Sequence, residues 1–181
     1  MKKVNEKGFT LIELLAVIVI MGILMIVAIP AISKTIENSR RGTFLDTAKE
    51  YASSVRNLWY SDGLTCGGKL SSAVEPGYYY VSIDSSNTTL LESGGKSAWG
   101  NADVKGYVLV HVQDTAVSGT VNRKVIYSVG LADSAGHGIA APTADKDFTT
   151  LVKGDVKSVS VSQRTQPAAI SGVTPVECVE N

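Results

Sequence analysis

A chain of 181 residues is near the size of one domain, and 44% hydrophobic with 19% charged residues is ordinary for a globular protein. Seventeen Lys plus Arg balance seventeen Asp plus Glu, which excludes a strongly basic nucleic-acid binder and a highly charged disordered chain. Two cysteines and two histidines, His111 and His137, exclude a dense disulfide scaffold and a four-cysteine zinc site, and no metal or cofactor is expected.

Met1 to Gly8 reads MKKVNEKG, with Lys2, Lys3 and Lys7 against one acid, Glu6. From Leu11 to Ile32 the chain is LIELLAVIVIMGILMIVAIPAI, in which Glu13 is the only charged side chain. As a helix this run is about 33 Å long, enough for a bilayer core of about 30 Å. The preceding lysines favour the cytoplasmic side, so everything after Ile32 is expected outside. A secretory signal peptide has a shorter apolar core and a small-residue cleavage site behind it; here the run is long and Ala31-Ile32-Ser33 is a weak exit. A plain anchor leaves Glu13 unexplained, because an acid in hydrocarbon is costly. A buried helix of a soluble domain explains neither the length nor the lysines.

The string Lys7-Gly8-Phe9-Thr10-Leu11-Ile12-Glu13, with the apolar run behind it, resembles the class III signal and N-terminal helix of type IV pilins and related prepilin-type proteins. The resemblance covers the first third of the chain, to about Tyr60. It implies cleavage after Gly8 by a prepilin peptidase and N-methylation of the new terminus at Phe9. It also implies polymerisation through the N-terminal helix with copies of the chain or with other pilins, driven by a dedicated assembly machinery. The subunit would first sit in the cytoplasmic membrane as a single-pass protein with its C-terminal head outside, and then in an extracellular pilus on the bacterial cell surface. Filaments of this kind serve adhesion, motility or secretion. The residues leave open a pilus subunit, major or minor, and a pseudopilin of a type II secretion or DNA-uptake apparatus, including a minor DNA-binding pilin.

Each position has a physical part in that scheme. Gly8 lets a protease grip extended backbone. Thr10 can cap the first turn through its hydroxyl. Glu13 stands one turn after Phe9, where a lone carboxylate costs at least about 2.5–3.5 kcal/mol in hydrocarbon. Cleavage supplies a partner, the cationic amine of Phe9, on the same subunit or on a neighbour. The resemblance implies the neighbour, which makes Phe9, Thr10 and Glu13 the assembly residues. The alternative is a Glu13 hydrated among headgroups at the membrane boundary.

Gly22 and Pro30 are soft points, with a kink or loosened backbone expected near Val27 to Pro30. Beyond Pro30, Ile32, Ile36, Phe44, Ala48, Tyr51, Val55 and Leu58 recur at helical spacing among charged residues, so the second half of the helix is amphipathic. The expected organisation is a leader at 1–8, an apolar membrane and assembly half at 9–32, an amphipathic half at 33–61 and a β-rich head at 62–181. From Phe9 to Tyr60 the helix would measure about 78 Å.

Asp62-Gly63 stops the helix. Tyr78 to Ile83 reads as a strand. Gly106 to Gln113 alternates, with Val108, Val110 and Val112 on one face and Tyr107, Leu109 and His111 on the other. Arg123 to Leu131 alternates again, and the Asp114 to Asn122 link with Ser118-Gly119 suits an antiparallel hairpin. Lys157 to Ser162, through Val159 and Val161, is a candidate fourth strand. The expected fold class is α+β: a type IV pilin-like fold in which the long helix packs on a three- to four-stranded antiparallel sheet. The segments Gly67 to Pro76, Ser85 to Asn101 and Ser134 to Ala144 read as surface.

The outward topology places Cys66 and Cys178 in a disulfide-permissive compartment. A bond would close a loop of about 110 residues and stabilise by up to about 4–5 kcal/mol; two free thiols are the alternative. Many pilins close a loop with both cysteines near the tail, and Cys66 departs from that pattern. Asn87-Thr88-Thr89 fits a short glycosylation sequon. His111 reads as a half-buried sheet residue and His137 as a loop residue. No nucleophile elbow or phosphate-binding loop is present, so no enzymatic activity is expected. Removing residues 1–8 takes away three lysines and one glutamate, leaving a mildly acidic chain, which argues against nucleic acid as a partner.

Overall fold

The computed structural model describes residues 8–83, 90, 95–100, 103–117, 120–141, 146–158 and 161–181. Lys2, Lys3 and Lys7, the Asn87-Thr88-Thr89 sequon, the Ser118-Gly119 turn and Val159 lie outside the described residues. The chain divides into two compact units, Met1–Ser39 and Arg40–Asn181. One helix, α1, runs from Leu11–Tyr60 and contributes to both.

In the first unit every described residue from Gly8 to Ile36 is exposed. Length and composition suit this stretch to crossing a membrane, and none of its apolar window is buried by protein. The hydroxyls near its end are satisfied locally: Ser33 Oγ donates to the Ile29 carbonyl at 3.0 Å and Thr35 Oγ1 to the Ala31 carbonyl at 3.1 Å. The helix continues through Gly22 and Pro30 without a break, although Pro30 has no N–H to offer the Ile26 carbonyl.

In the second unit α1 turns one stripe toward a sheet. Phe44, Leu45, Ala48, Tyr51, Ala52, Val55 and Trp59 are buried there, and the Tyr51 hydroxyl donates to the Val81 carbonyl at 2.9 Å. The stop after Tyr60 has a specific geometry. Asp62 takes a left-handed φ of 53°, and the Gly63 N–H reaches back to the Leu58 carbonyl at 2.8 Å, the six-to-one bond of a Schellman turn. A Cβ on Gly63 would lie 2.8 Å from Leu58 Cδ2 and would push that side chain aside. The Asp62 carboxylate in turn accepts from the Ser72 N–H at 2.8 Å and Ser71 Oγ at 3.0 Å, and the backbone bond from Ser72 holds its pKa below the usual carboxylate value.

The sheet has eight strands: β1 Leu64–Cys66, β2 Lys69–Leu70, β3 Gly77–Ile83, β4 Val104–Val117, β5 Thr120–Asp133, β6 Gly138–Ile139, β7 Val156–Lys157 and β8 Val176–Glu180. Their order is β2-β1-β8-β3-β4-β5-β6-β7. All neighbours are antiparallel except β8, which runs parallel to β3 with Tyr79 opposite Val176. The α+β class stands, but the sheet is eight-stranded and mixed where three or four antiparallel strands were expected. Three of the added strands, β1, β2 and β6, are two or three residues long, too short to show alternation. β8 owes its place to pairing on both sides, with β1 and with β3.

The hairpin of β4 and β5 is longer than its alternating core. It pairs from Val104↔Asp133 to Val117↔Thr120, so most of the expected link is strand, clamped across by Arg123 and Asp114 at 2.9 Å. The expected fourth strand at Lys157 to Ser162 does not form through Val161, which lies in no strand; the strand here is Val156–Lys157, anchored by the buried Val156. Val108, Val110, Val112, Val129 and Leu131 face the helix, while Tyr80, Tyr107 and Leu109 form a second cluster, against which Ile170 of the tail packs. Parts of the segments read as surface are inside instead: Ser71, Val74, Ser97 and Ile139 are buried.

Candidate assembly site at the start of the long helix

The helix begins where the local chemistry allows it to. Thr10 is the residue before Leu11 and Glu13 is the third residue of the helix, the spacing of a capping box. The Thr10 N–H and the Thr10 hydroxyl both donate to Glu13 Oε2 at 2.8 Å, and the Glu13 N–H donates back to Thr10 Oγ1 at 3.3 Å. Two N–H groups that a helix start leaves unpaired are thereby satisfied. The acid also complements the positive end of the helix dipole.

This bonding fixes where the carboxylate points. It folds back toward the N-terminus, toward Phe9, whose side chain is 90% exposed. Only Oε2 is engaged; Oε1 has no hydrogen bond among the described residues. The apolar side chains after it, Leu14, Leu15, Val17 and Ile18, are at least half exposed. A charged group and a capped helix start thus sit at the head of a bare apolar surface. The arrangement can receive a cation at the open oxygen and apolar side chains behind it.

The remaining candidates are distributed through the second unit. Cys66 and Cys178 face each other in register on β1 and β8, with Cα atoms 4.1 Å apart and the sulfurs bonded across a separation of 112 residues. His111 is buried to 9% exposure and stacks on Tyr78 at 4.2 Å. His137 stacks on Trp99 at 4.3 Å with the rings 2° from parallel, and its Nδ1 lies 3.2 Å from Asp133 Oδ2. Sequence reading missed Asp133, because its hydroxyl partner Ser97 comes from 36 residues away. Among the described residues no group of three or more His, Cys, Asp or Glu side chains could hold a metal ion. A shallow pocket of about 260 Å³ beside Val129, Ile139 and Leu151 is lined by the Lys146–Asp155 pair, at 2.7 Å. The hydrogen bond from Lys146 holds the Asp155 carboxyl below its ordinary pKa, which favours a fixed ion pair over a proton carrier.

The prokaryotic N-terminal methylation motif matches residues 3–29, the stretch that contains Gly8, Phe9, Thr10 and Glu13. No curated protein and no solved structure gives a match. The motif, with the capped start and the exposed apolar helix that follow it, is consistent with a type IV pilin-like class III signal.

Proposed function

We propose that the protein is a structural subunit of a type IV pilus or pilus-like filament. In this reading residues 1–8 are removed after Gly8 and the new amine of Phe9 is methylated. Residues 9–32 hold the subunit in the membrane and then line the filament axis, 33–61 carry the amphipathic half of the helix, and 62–181 form the outward head. The observation that carries the reading is a methylation motif whose apolar helix has no protein cover. A bare apolar rod of this length is stable in lipid or among identical rods, and moving between the two costs little because both are comparably apolar. A pseudopilin of a type II secretion or DNA-uptake apparatus would use the same chemistry.

Glu13 carries the mechanism of assembly. Its carboxylate is held back toward the N-terminus by Thr10, with Oε1 open, and the amine released at Phe9 of a neighbouring subunit is its partner. The pair forms in a low-dielectric setting, where an unmatched charge is expensive. Glu13→Gln keeps the volume and removes the charge. It should leave membrane insertion intact, since a neutral residue lowers the insertion cost, and should sharply reduce the yield of sheared fibres. Glu13→Val should behave alike. Normal fibre yield from both variants at matched expression would show that Glu13 is a hydrated boundary residue and that this mechanism is wrong.

A further inference from the structure

We propose that a basic band on the second unit docks on the phosphate headgroups of anionic phospholipid. The inference rests on the membrane stage of the reading above, in which residues 9–32 sit in a bilayer before assembly. The band starts on the single helical turn Lys153–Asp155. Lys153 covers Gly42 of α1, where an added Cβ would lie 3.1 Å from the lysine Cε. Asp155, Lys146 and Lys157 line the shallow pocket that Ile139 and Ala141 also border. The same Ile139 and Ala141 border a second, smaller notch, lined by Lys105, Ser162 and Arg164. One continuous strip therefore carries Lys153, Lys146, Lys157, Arg164 and Lys105.

The nearby acids do not balance these cations. Asp155 is bridged to Lys146 at 2.7 Å. Asp103, two residues before Lys105, is bridged to Lys96 at 2.5 Å. The Asp147 carboxylate accepts from the Thr149 and Tyr127 N–H groups. Lys105, Lys153, Lys157 and Arg164 form no ion pair with a described residue. Arg164 is also held in place: its Nε donates to Ser162 Oγ at 3.1 Å, and its two terminal nitrogens have no described partner. The notch beside it measures about 10 Å³ over Gly130 and Ala132, room for a single oxygen. One oxygen of a phosphate can enter while the ester stays outside, with the guanidinium fork and the Lys105 ammonium on the others. Chain connectivity supplies the headgroup. The apolar run ends at Ile32 and the second unit opens at Arg40, and eight residues reach about 28 Å at most. The band is thus tethered near the membrane surface in every orientation of the head, where each basic residue adds its own attraction to anionic lipid.

The test is lysine footprinting of the full-length protein in two kinds of vesicle, phosphatidylcholine alone and equal parts of phosphatidylcholine and phosphatidylglycerol. A membrane-impermeant acylating reagent, read by mass spectrometry, reports each lysine separately. Lys105, Lys153 and Lys157 should react at least about fivefold more slowly in the anionic vesicles, the effect of one basic residue held at such a surface. High salt should erase the difference. Lys69 on β2, at the opposite edge of the sheet, and Lys124, eight residues along β5 from Ala132, should react alike in both. Arg164→Gln combined with Lys157→Gln should weaken the protection of Lys105, with the non-reducing mobility set by Cys66–Cys178 reporting folding. Equal rates at the three band lysines in the two vesicles overturn the proposal, and so does equal protection of Lys69 and Lys124. Inorganic phosphate added to the neutral vesicles at matched phosphate concentration should protect none of these lysines. Protection by it as strong as in the anionic vesicles would assign a free-anion site and overturn the lipid. A chain that floats with neither vesicle overturns the membrane reading itself, whereas one that floats with both and shows no lipid-dependent protection overturns this inference alone.

Discussion

Asp133 is 1% exposed and accepts from Ser97 Oγ at 2.6 Å, the Ala135 N–H at 3.0 Å and the His137 N–H at 2.7 Å. It ties the loop around Trp99 to the turn after β5, and Trp99 in turn packs on Phe44 of α1, centroids 5.8 Å apart. A buried acid with this many donors is a structural hub. Asp133→Ala would leave those donors unpaired and should cost roughly 2–4 kcal/mol, while Asp133→Asn, which keeps one acceptor oxygen, should cost less. Chemical denaturation of the full-length protein in detergent, followed by tryptophan fluorescence, measures both. Equal stability of wild type and Asp133→Ala would contradict the hub. Residues of this kind were hidden from sequence reading, because an Asp followed by a Gly-rich turn looks like a solvated loop. The Thr10–Glu13 box was legible for the opposite reason: its partners are three residues apart, and the spacing is itself the signal.

At the scale of elements, length decided what could be read. α1 and strands β3, β4 and β5 run long enough to show their periods, and Val108, Val110 and Val112 fall on the helix-facing side as their alternation required. The hairpin extends beyond that pattern because its outer rungs, such as Ala116↔Val121, are exposed and have no buried face to mark them. β8 was the least legible element. In Val176–Glu180 only Cys178 is buried, so no alternating apolar side announces a strand, and its parallel partner β3 lies almost a hundred residues earlier. Yet β8 joins β1 and β2 to the rest of the sheet. The Cys66–Cys178 bond therefore secures that junction as well as the chain end. Cys178→Ser, or reduction of the wild type, should lower stability by about 2–4 kcal/mol. The loss should appear as a lower unfolding midpoint for the reduced chain than for the oxidised one. Unchanged midpoints would mean that strand pairing alone holds β8 in place.

For the whole molecule, the two units obey different solvents. Arg40–Asn181 buries its core in water, with a disulfide closing a sheet whose outermost strands, β2 and β7, are two residues long and offer little to strand-adding neighbours. Among the described residues of Met1–Ser39 none is buried, and they expose a continuous apolar surface, stable only where lipid or other helices replace water. The methylation motif at residues 3–29 lies wholly within that second kind of unit. In the proposed filament reading, processing links the two settings of the helix: it would remove the lysines before Gly8 that favour the cytoplasmic side and create the amine that pairs with Glu13. The most direct test is the intact mass and N-terminal sequence of the protein from membranes and from sheared surface material of cells with an active prepilin peptidase. The account predicts a chain beginning at Phe9 and carrying one methyl group on its amine, with Gly8→Ala reducing the processed fraction and bulkier residues at position 8 abolishing it. A mature chain that begins at Met1, or one that begins beyond Ser33 and has lost the helix, would contradict it.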